Sequence, residues 1–251
     1  MKKSILFLAA IGLLAVTPSC KKGENDPALS LASRKARITG EWDVTNFEST
    51  YTSLEDGVTY TSTTSYDGSI QTTTYSWSED GSTTTSTATR TVNDHSWVIN
   101  KDGSFTRTYE YTYQEEDEDF WSGNITTTTY VVIETTTGTW SFVGKVKDEY
   151  KNKERVVFNV LETNDNTSYT WVEKDDTGAQ VDEGSGSDVY TNEYYNGDYS
   201  MVMDLDRLAG DEMVWKLEGQ GVDTDSETVG STTVSTTDTH SGLSTWTLTK
   251  K

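Results

Sequence analysis

The chain has one cysteine, two prolines and two histidines in 251 residues. A single cysteine, Cys20, excludes an internal disulfide framework and a thiolate-rich zinc centre. His95 and His240 neighbour neither each other nor the cysteine, and no H-E-x-x-H, G-x-S-x-G or glycine-rich phosphate loop occurs. No cofactor or metal centre is therefore expected, and the chain reads as non-enzymatic. Pro18 and Pro27 are the only prolines, which excludes a Ser/Thr/Pro stalk. Basic residues are scarce: 20 Lys and Arg against 41 Asp and Glu leave a net charge of -21. That balance argues against nucleic acid, which is gripped by neutralising phosphates, and against direct contact with an anionic lipid surface. Long apolar runs are missing too. The longest, Ile5 to Val16, falls short of the roughly 20 residues needed to cross a bilayer.

That short run has a context of its own. Lys2 and Lys3 precede it, and Thr17, Pro18 and Ser19 follow, ahead of Cys20 and the polar stretch KKGENDP. A basic start, a short apolar core and small residues make an export signal. Ser19-Cys20 with a polar run behind it resembles the lipobox of bacterial lipoproteins, in the relaxed form of the Bacteroidota. The resemblance implies that residues 1–19 are a signal peptide and that Cys20 becomes a lipid-bearing N-terminus, with diacylglycerol on sulfur and an acyl chain on nitrogen. Two or more buried chains anchor a protein stably. Residues 20–35 then form a polar tether, and the membrane is a partner through the anchor. The implied location is the outer membrane, on its periplasmic or surface side, with Glu24 and Asp26 behind the anchor resembling a surface-display signal. Loss of Lys2 and Lys3 takes the charge from -21 to -23.

What the chain has in quantity is aromatics and threonine: 8 Trp, 14 Tyr, 6 Phe and 44 Thr. Disordered chains lack the first, and β-branched threonine favours strands. Asp-Gly turn signals recur in EDG at 55–57, YDG at 66–68, EDG at 79–81 and KDG at 101–103. Between the first three lie threonine ladders with few apolar anchors: Val58, Tyr60, Ile70, Tyr75 and Trp77. Phe105, Tyr109, Tyr111 and Tyr113 alternate on one face, and the charged run at 115–119 reads as a loop tip. Strands are expected at 125–133, from Gly138, at Val156–Leu161, returning at Tyr169–Trp171, and in the pair Tyr199–Leu205 and Met213–Leu217. Residues 174–198 read as a long loop with one short strand at most, and His95 in NDHS reads as a turn. The apolar-poor segments 51–95 and 219–241 are expected to pair with each other. A short helix is expected within 28–37. The sum is one all-β antiparallel domain of ten to twelve strands over residues 36–251.

Three strand starts share a pattern: Gly40-Glu41-Trp42, Gly138-Thr139-Trp140 and Ser244-Thr245-Trp246. With the short helix and the hairpins, they resemble the lipocalin-like domains carried by Bacteroidota lipoproteins. The resemblance implies an antiparallel meander closed into a β-barrel, with Thr-rich hairpins as extensions. It also implies that Trp42 packs across one barrel end under a basic residue, for which Lys250 and Arg207 are the candidates. The same alternation fits a β-sandwich.

The candidate contact residues are aromatic, because flat amphipathic groups stack on sugars and peptides. Tyr190, Tyr194 and Tyr195 fall in the loop-like stretch DVYTNEYYNGDYS, and Trp121 follows Phe120 beside the acidic run. Packing of these rings on the core is the competing expectation. Asp223, Asp225 and Glu227 alternate as a weak calcium candidate without matching an EF-hand. No carboxylate pair is marked as a glycosidase site. Two readings stand: an anchored protein that binds a small hydrophobic molecule or glycan, and a structural or protein-interaction domain with a filled barrel.

Overall fold

Among the described residues, alternation and Asp-Gly turns resolve into eleven antiparallel strands behind a short helix, α1 (Arg34–Ile38). The strands are β1 (Gly40–Glu55), β2 (Val58–Tyr66), β3 (Ile70–Glu79), β4 (Ser82–Ile99), β5 (Ser104–Glu118) and β6 (Ile125–Val143), followed by β7 (Glu154–Lys174), β8 (Gln180–Glu193), β9 (Ser200–Leu208), β10 (Glu212–Val229) and β11 (Thr232–Lys250). The computed structural model describes residues 33–55, 57–143, 154–195, 197–229 and 232–251. The signal and lipidation readings, Cys20 included, lie outside these residues.

The strands form one sheet in the order β6-β5-β4-β3-β2-β1-β11-β10-β9-β7-β8, and β6 also pairs with β7. That extra pairing closes the sheet on itself, a barrel-like ring. A second shortcut pairs Gly40–Asp43 of β1 with Ser96–Ile99 of β4. At this end the ring therefore skips β2 and β3 and runs through β1, β4, β5, β6, β7, β9, β10 and β11. Further along, β1 leaves β4 and takes β2 from Phe47 onward. β4 leaves β5 after Thr91–Thr112 and takes β3. β7 leaves β9 after Asn159 and takes β8 from Glu162.

Each change of partner coincides with a register shift: Val44/Asn46 in β1, Val92/Asp94 in β4 and Thr137/Gly138 in the β6–β7 pair. A bulge bends its strand and raises the local twist, which is what a strand needs to turn from one neighbour toward another. Above the bulges the ring opens into two wings. One is β10-β11-β1-β2-β3-β4, and the other is β5-β6-β7-β8. Among the described residues no pairing joins β4 to β5 above Thr91–Thr112, or β8 to β10. Among these residues the apolar-poor segments meet only where Thr52–Leu54 face Thr239–Ser241; otherwise each pairs chiefly within itself, β1 to β4 in one and β10 with β11 in the other.

The core fills the closed end. Trp42, Trp97, Trp215, Phe105 and Phe158 are buried there with Ile99, Met203, Met213 and Leu248. Burial of each such side chain contributes roughly 1.5–3 kcal/mol. Their rings meet edge to face, with Trp97–Trp215 at 5.1 Å and Phe105–Phe158 at 5.0 Å, the geometry the ring quadrupole favours. Helix α1 caps this end. The Ser33 hydroxyl accepts from the Ala36 N–H at 3.2 Å, Ile38 is buried, and the Arg37 guanidinium donates to the Leu208 carbonyl. Trp42 donates its indole N–H to the Ile38 carbonyl at 2.8 Å. The Lys250 ammonium lies 5.3 Å from the Trp42 ring and donates to the Thr39 carbonyl at 3.1 Å. Arg207 instead pairs with Glu212 at 2.9 Å.

Several local expectations are corrected. His95 lies inside β4, not in a turn, because the bulge at Val92/Asp94 absorbs the polar residues around it. Glu115–Glu118 end β5, held by β6 partners Ile125–Thr128, and the tip lies beyond them at 119–124. Gly138 starts no new strand but sits within β6, and Tyr169–Trp171 continue β7 rather than returning beside it. The supposed loop at 174–198 holds the fourteen-residue β8. Its glycines serve as seats for rings: a Cβ on Gly184 would lie 2.7 Å from the Trp171 ring, and one on Gly186 would overlap the Tyr169 hydroxyl.

Candidate functional site

Directly paired residues of neighbouring strands share a face. The lumenal face can therefore be followed upward from the core through the register. Above Trp97 on β4 come His95, Val92 and Arg90, and above Phe105 on β5 come Arg107, Tyr109, Tyr111 and Tyr113. On β6, Thr136, Glu134, Val132 and Tyr130 stand opposite that row. The apolar end thus gives way to a layer of aromatics and charges.

The rings of this layer touch in series. His95 lies 5.7 Å from Tyr66 and 4.8 Å from Tyr109. Tyr109–Tyr111 are 4.8 Å apart, Tyr113–Tyr130 are stacked at 4.7 Å, and Tyr130–Tyr169 are 6.0 Å apart. Arg90 of β4 reaches over Tyr111 at 4.5 Å. The Tyr109 hydroxyl crosses the split to donate to Gln71 of β3 at 2.5 Å. The two wings are thereby stitched at their root; the cleft is the lumenal space between the wings, with this layer as its floor.

Burial dominates the electrostatics of the floor. It pulls the His95 imidazole down to about 3, helped by the nearby Arg107 charge, so His95 is neutral at physiological pH. Burial also lowers the Arg107 guanidinium, opposed by Glu134. The Tyr109 phenol is raised, chiefly by burial. Tyr111 is raised as well, by burial and then by the Glu134 carboxylate, to which its hydroxyl donates at 3.2 Å.

The walls are aromatic and wet. On the first wing Tyr51, Tyr60, Tyr75 and Trp77 project from the lumenal face and remain exposed. Thr73, Thr64 and Ser62 lie between them, with Thr73 and Thr64 joined hydroxyl to hydroxyl at 3.0 Å. On the second wing Tyr113, Tyr130, Tyr169 and Trp171 are half-buried along the same face. Flat rings interleaved with hydroxyls suit a ring-bearing ligand that presents an apolar face and polar edges.

The aromatics singled out in the sequence are scattered. Tyr190 is in β8 opposite Asp165, on the cleft face and 63% exposed. Tyr194 follows β8, packs on the core and stands 5.4 Å from Tyr199. Tyr195 is exposed and donates to Glu193 at 3.0 Å. Phe120 and Trp121, 88% and 90% exposed, form an edge-to-face pair at 5.4 Å on the β5–β6 turn. The strand end near Trp121 lies nine residues beyond Asp165, or about 30 Å along β7, so Trp121 does not join the tyrosines. The backbone of Asp223, Asp225 and Glu227 lies in β10, and their side chains fall outside the described part.

The site residues missed in the sequence are Tyr75, Trp77, Arg90, Tyr130 and Arg107. Only the alternation of Tyr109, Tyr111 and Tyr113 signalled this face. No family model, curated protein or solved structure matches the chain.

Proposed function

We propose that this chain is a lipid-anchored, lipocalin-like binding protein of the cell envelope, which holds a ring-bearing small molecule or glycan in the cleft without transforming it. The observation that carries the reading is the row of rings on the lumenal faces of the two wings, exposed on the first and half-buried on the second. Large apolar groups left wet along one face mark a binding site more often than a packing defect. The filled, capped barrel end supplies rigidity beneath them. The short helix, Trp42 across the barrel end and Lys250 over its ring support the lipocalin-like part of the reading. The anchor rests on Ser19-Cys20 and the leader before it.

Two results test the proposal. In cells fed a clickable fatty acid, the full-length protein should take up label, and Cys20→Ala should take up none. In calorimetric titrations with a panel of oligosaccharides and aromatic compounds, Trp77→Ala should weaken binding about tenfold, the effect of losing one stacking ring. Trp121→Ala should leave binding unchanged. The opposite pattern would favour a second reading, a protein-interaction domain, for which the bare Phe120–Trp121 pair is the supporting observation.

A further inference from the structure

Within the cleft floor and the core just beneath it, donors outnumber acceptors. Arg107 faces inward on β5, opposite Trp97 of β4 and Thr136 of β6, with its guanidinium 5.4 Å from the Tyr109 ring. Among the described residues it has no hydrogen-bond partner and no carboxylate at salt-bridge distance. The nearest lumenal carboxylate, Glu134, is engaged by the Tyr111 hydroxyl. His95 is 6% exposed, and neither ring nitrogen has a partner. The indole N–H groups of Trp97 and Trp215 are likewise buried without acceptors. Each unmade bond of this kind costs stability, and an unpaired buried cation costs more. Three such residues, His95, Trp97 and Trp215, face the same stretch of lumen as Arg107 and call for an acceptor that the described residues do not supply.

We propose that this cluster is an oxyanion subsite: Arg107, with His95, Trp97 and Trp215 around it, receives the carboxylate or sulfate of an acidic ligand whose ring lies against the cleft tyrosines. The proposal rests on the cleft reading and adds the charge class of the ligand. Guanidinium and indole N–H donors suit the acceptor-only oxygens of such a group. Arg90, over Tyr111, adds a second positive charge on the approach.

The test uses the full chain in detergent micelles, with indole N–H signals followed by NMR and assigned through Trp97→Phe and Trp215→Phe. The probes are matched pairs: benzoate with benzyl alcohol, and glucuronate with glucose. Benzenesulfonate separates sulfate-like from carboxylate preference. The acids should shift the Trp97 and Trp215 signals and bind at least about tenfold more tightly than their neutral partners. Arg107→Met should abolish that preference, Arg107→Lys should restore part of it, and Tyr109→Leu, which removes the ring beside Arg107, should weaken both members of a pair alike. Because Arg107→Met removes an unpaired charge, its melting temperature should be no lower than wild type. If it fails to fold, His95→Phe serves in its place and should lower affinity for the acids several-fold. Equal binding of acids and neutrals, with shifts confined to cleft-wall tryptophans, would overturn the subsite and leave the cleft reading standing. Absence of any shift at Trp97 and Trp215 with every probe would also overturn the subsite.

Discussion

Gly138→Ala should lower the stability of the domain by about 3 kcal/mol, the upper range for forcing atoms into a packed interior. For a domain of this size that is roughly a 10 °C fall in melting temperature. Gly138 lies at the shift between the β6–β7 registers, where β6 passes closest to β7. A Cβ there would overlap the Asn159 carbonyl oxygen and stand 2.8 Å from the Phe105 ring. The first obstacle is backbone, so no rotamer change relieves it. Phe105 in turn packs on Phe158 and Trp97, so displacing it disturbs the whole aromatic end. Gly219→Ala in β10 is the control. An added Cβ there meets nothing within 4 Å, and the change should be neutral or stabilising by about 0.5 kcal/mol. Thermal melts of the two variants check both statements, and a Gly138→Ala protein as stable as wild type would show that the closed end is not packed as described.

The second large effect is on acid stability. His95 is held to about 3 in the fold, against an ordinary value near 6.5. A depressed value means that the neutral form is the one the fold accommodates. Its contribution is complete above pH 6.5 and is lost as pH falls through about 3. The loss runs at about 1.4 kcal/mol per pH unit, on the order of 4–5 kcal/mol in all. Between pH 6.5 and 4.5 the lowered carboxylates Asp67, Asp102, Asp119 and Asp175 stay ionised in the fold. Urea unfolding in that window should therefore show wild type losing about 2–3 kcal/mol more than His95→Phe. At pH 7.5 the variant should be at least as stable as wild type, since it removes two buried nitrogens without partners. Parallel pH profiles for the two proteins would place His95 in solvent, against its burial between Tyr66 and Tyr109.

Much of this architecture was legible in the chain. The turns at 55–57, 66–68, 79–81 and 101–103 announce themselves through Asp-Gly; at Asp80-Gly81 both residues have positive φ, as a two-residue hairpin turn requires. Met201, Met203 and Leu205 alternate cleanly, as do Met213, Trp215 and Leu217, and they form the expected hairpin. Other features depend on neighbours that no local pattern reveals. The Ser-, Gly- and Asp-rich β8 has loop composition, yet Tyr169 and Trp171 of β7 cover its glycines. The polar surroundings of His95 imitate a turn because a bulge disposes of one residue there. Tyr75 and Trp77 read as anchors of a ribbon with little to bury. Their place on a cleft wall follows only from the three strands that change partner partway along their length. The cleft is a property of pairing register, and register in uniform threonine ladders is weakly written in the sequence.

The central claim, that the wings form a binding cleft, is tested most directly by native mass spectrometry of the protein taken from its own cells. A bound species of defined mass should be present, should disappear in Trp77→Ala and in Tyr113→Ala, and should persist in Trp121→Ala. A protein that carries nothing, or a species that survives both cleft substitutions, would contradict it.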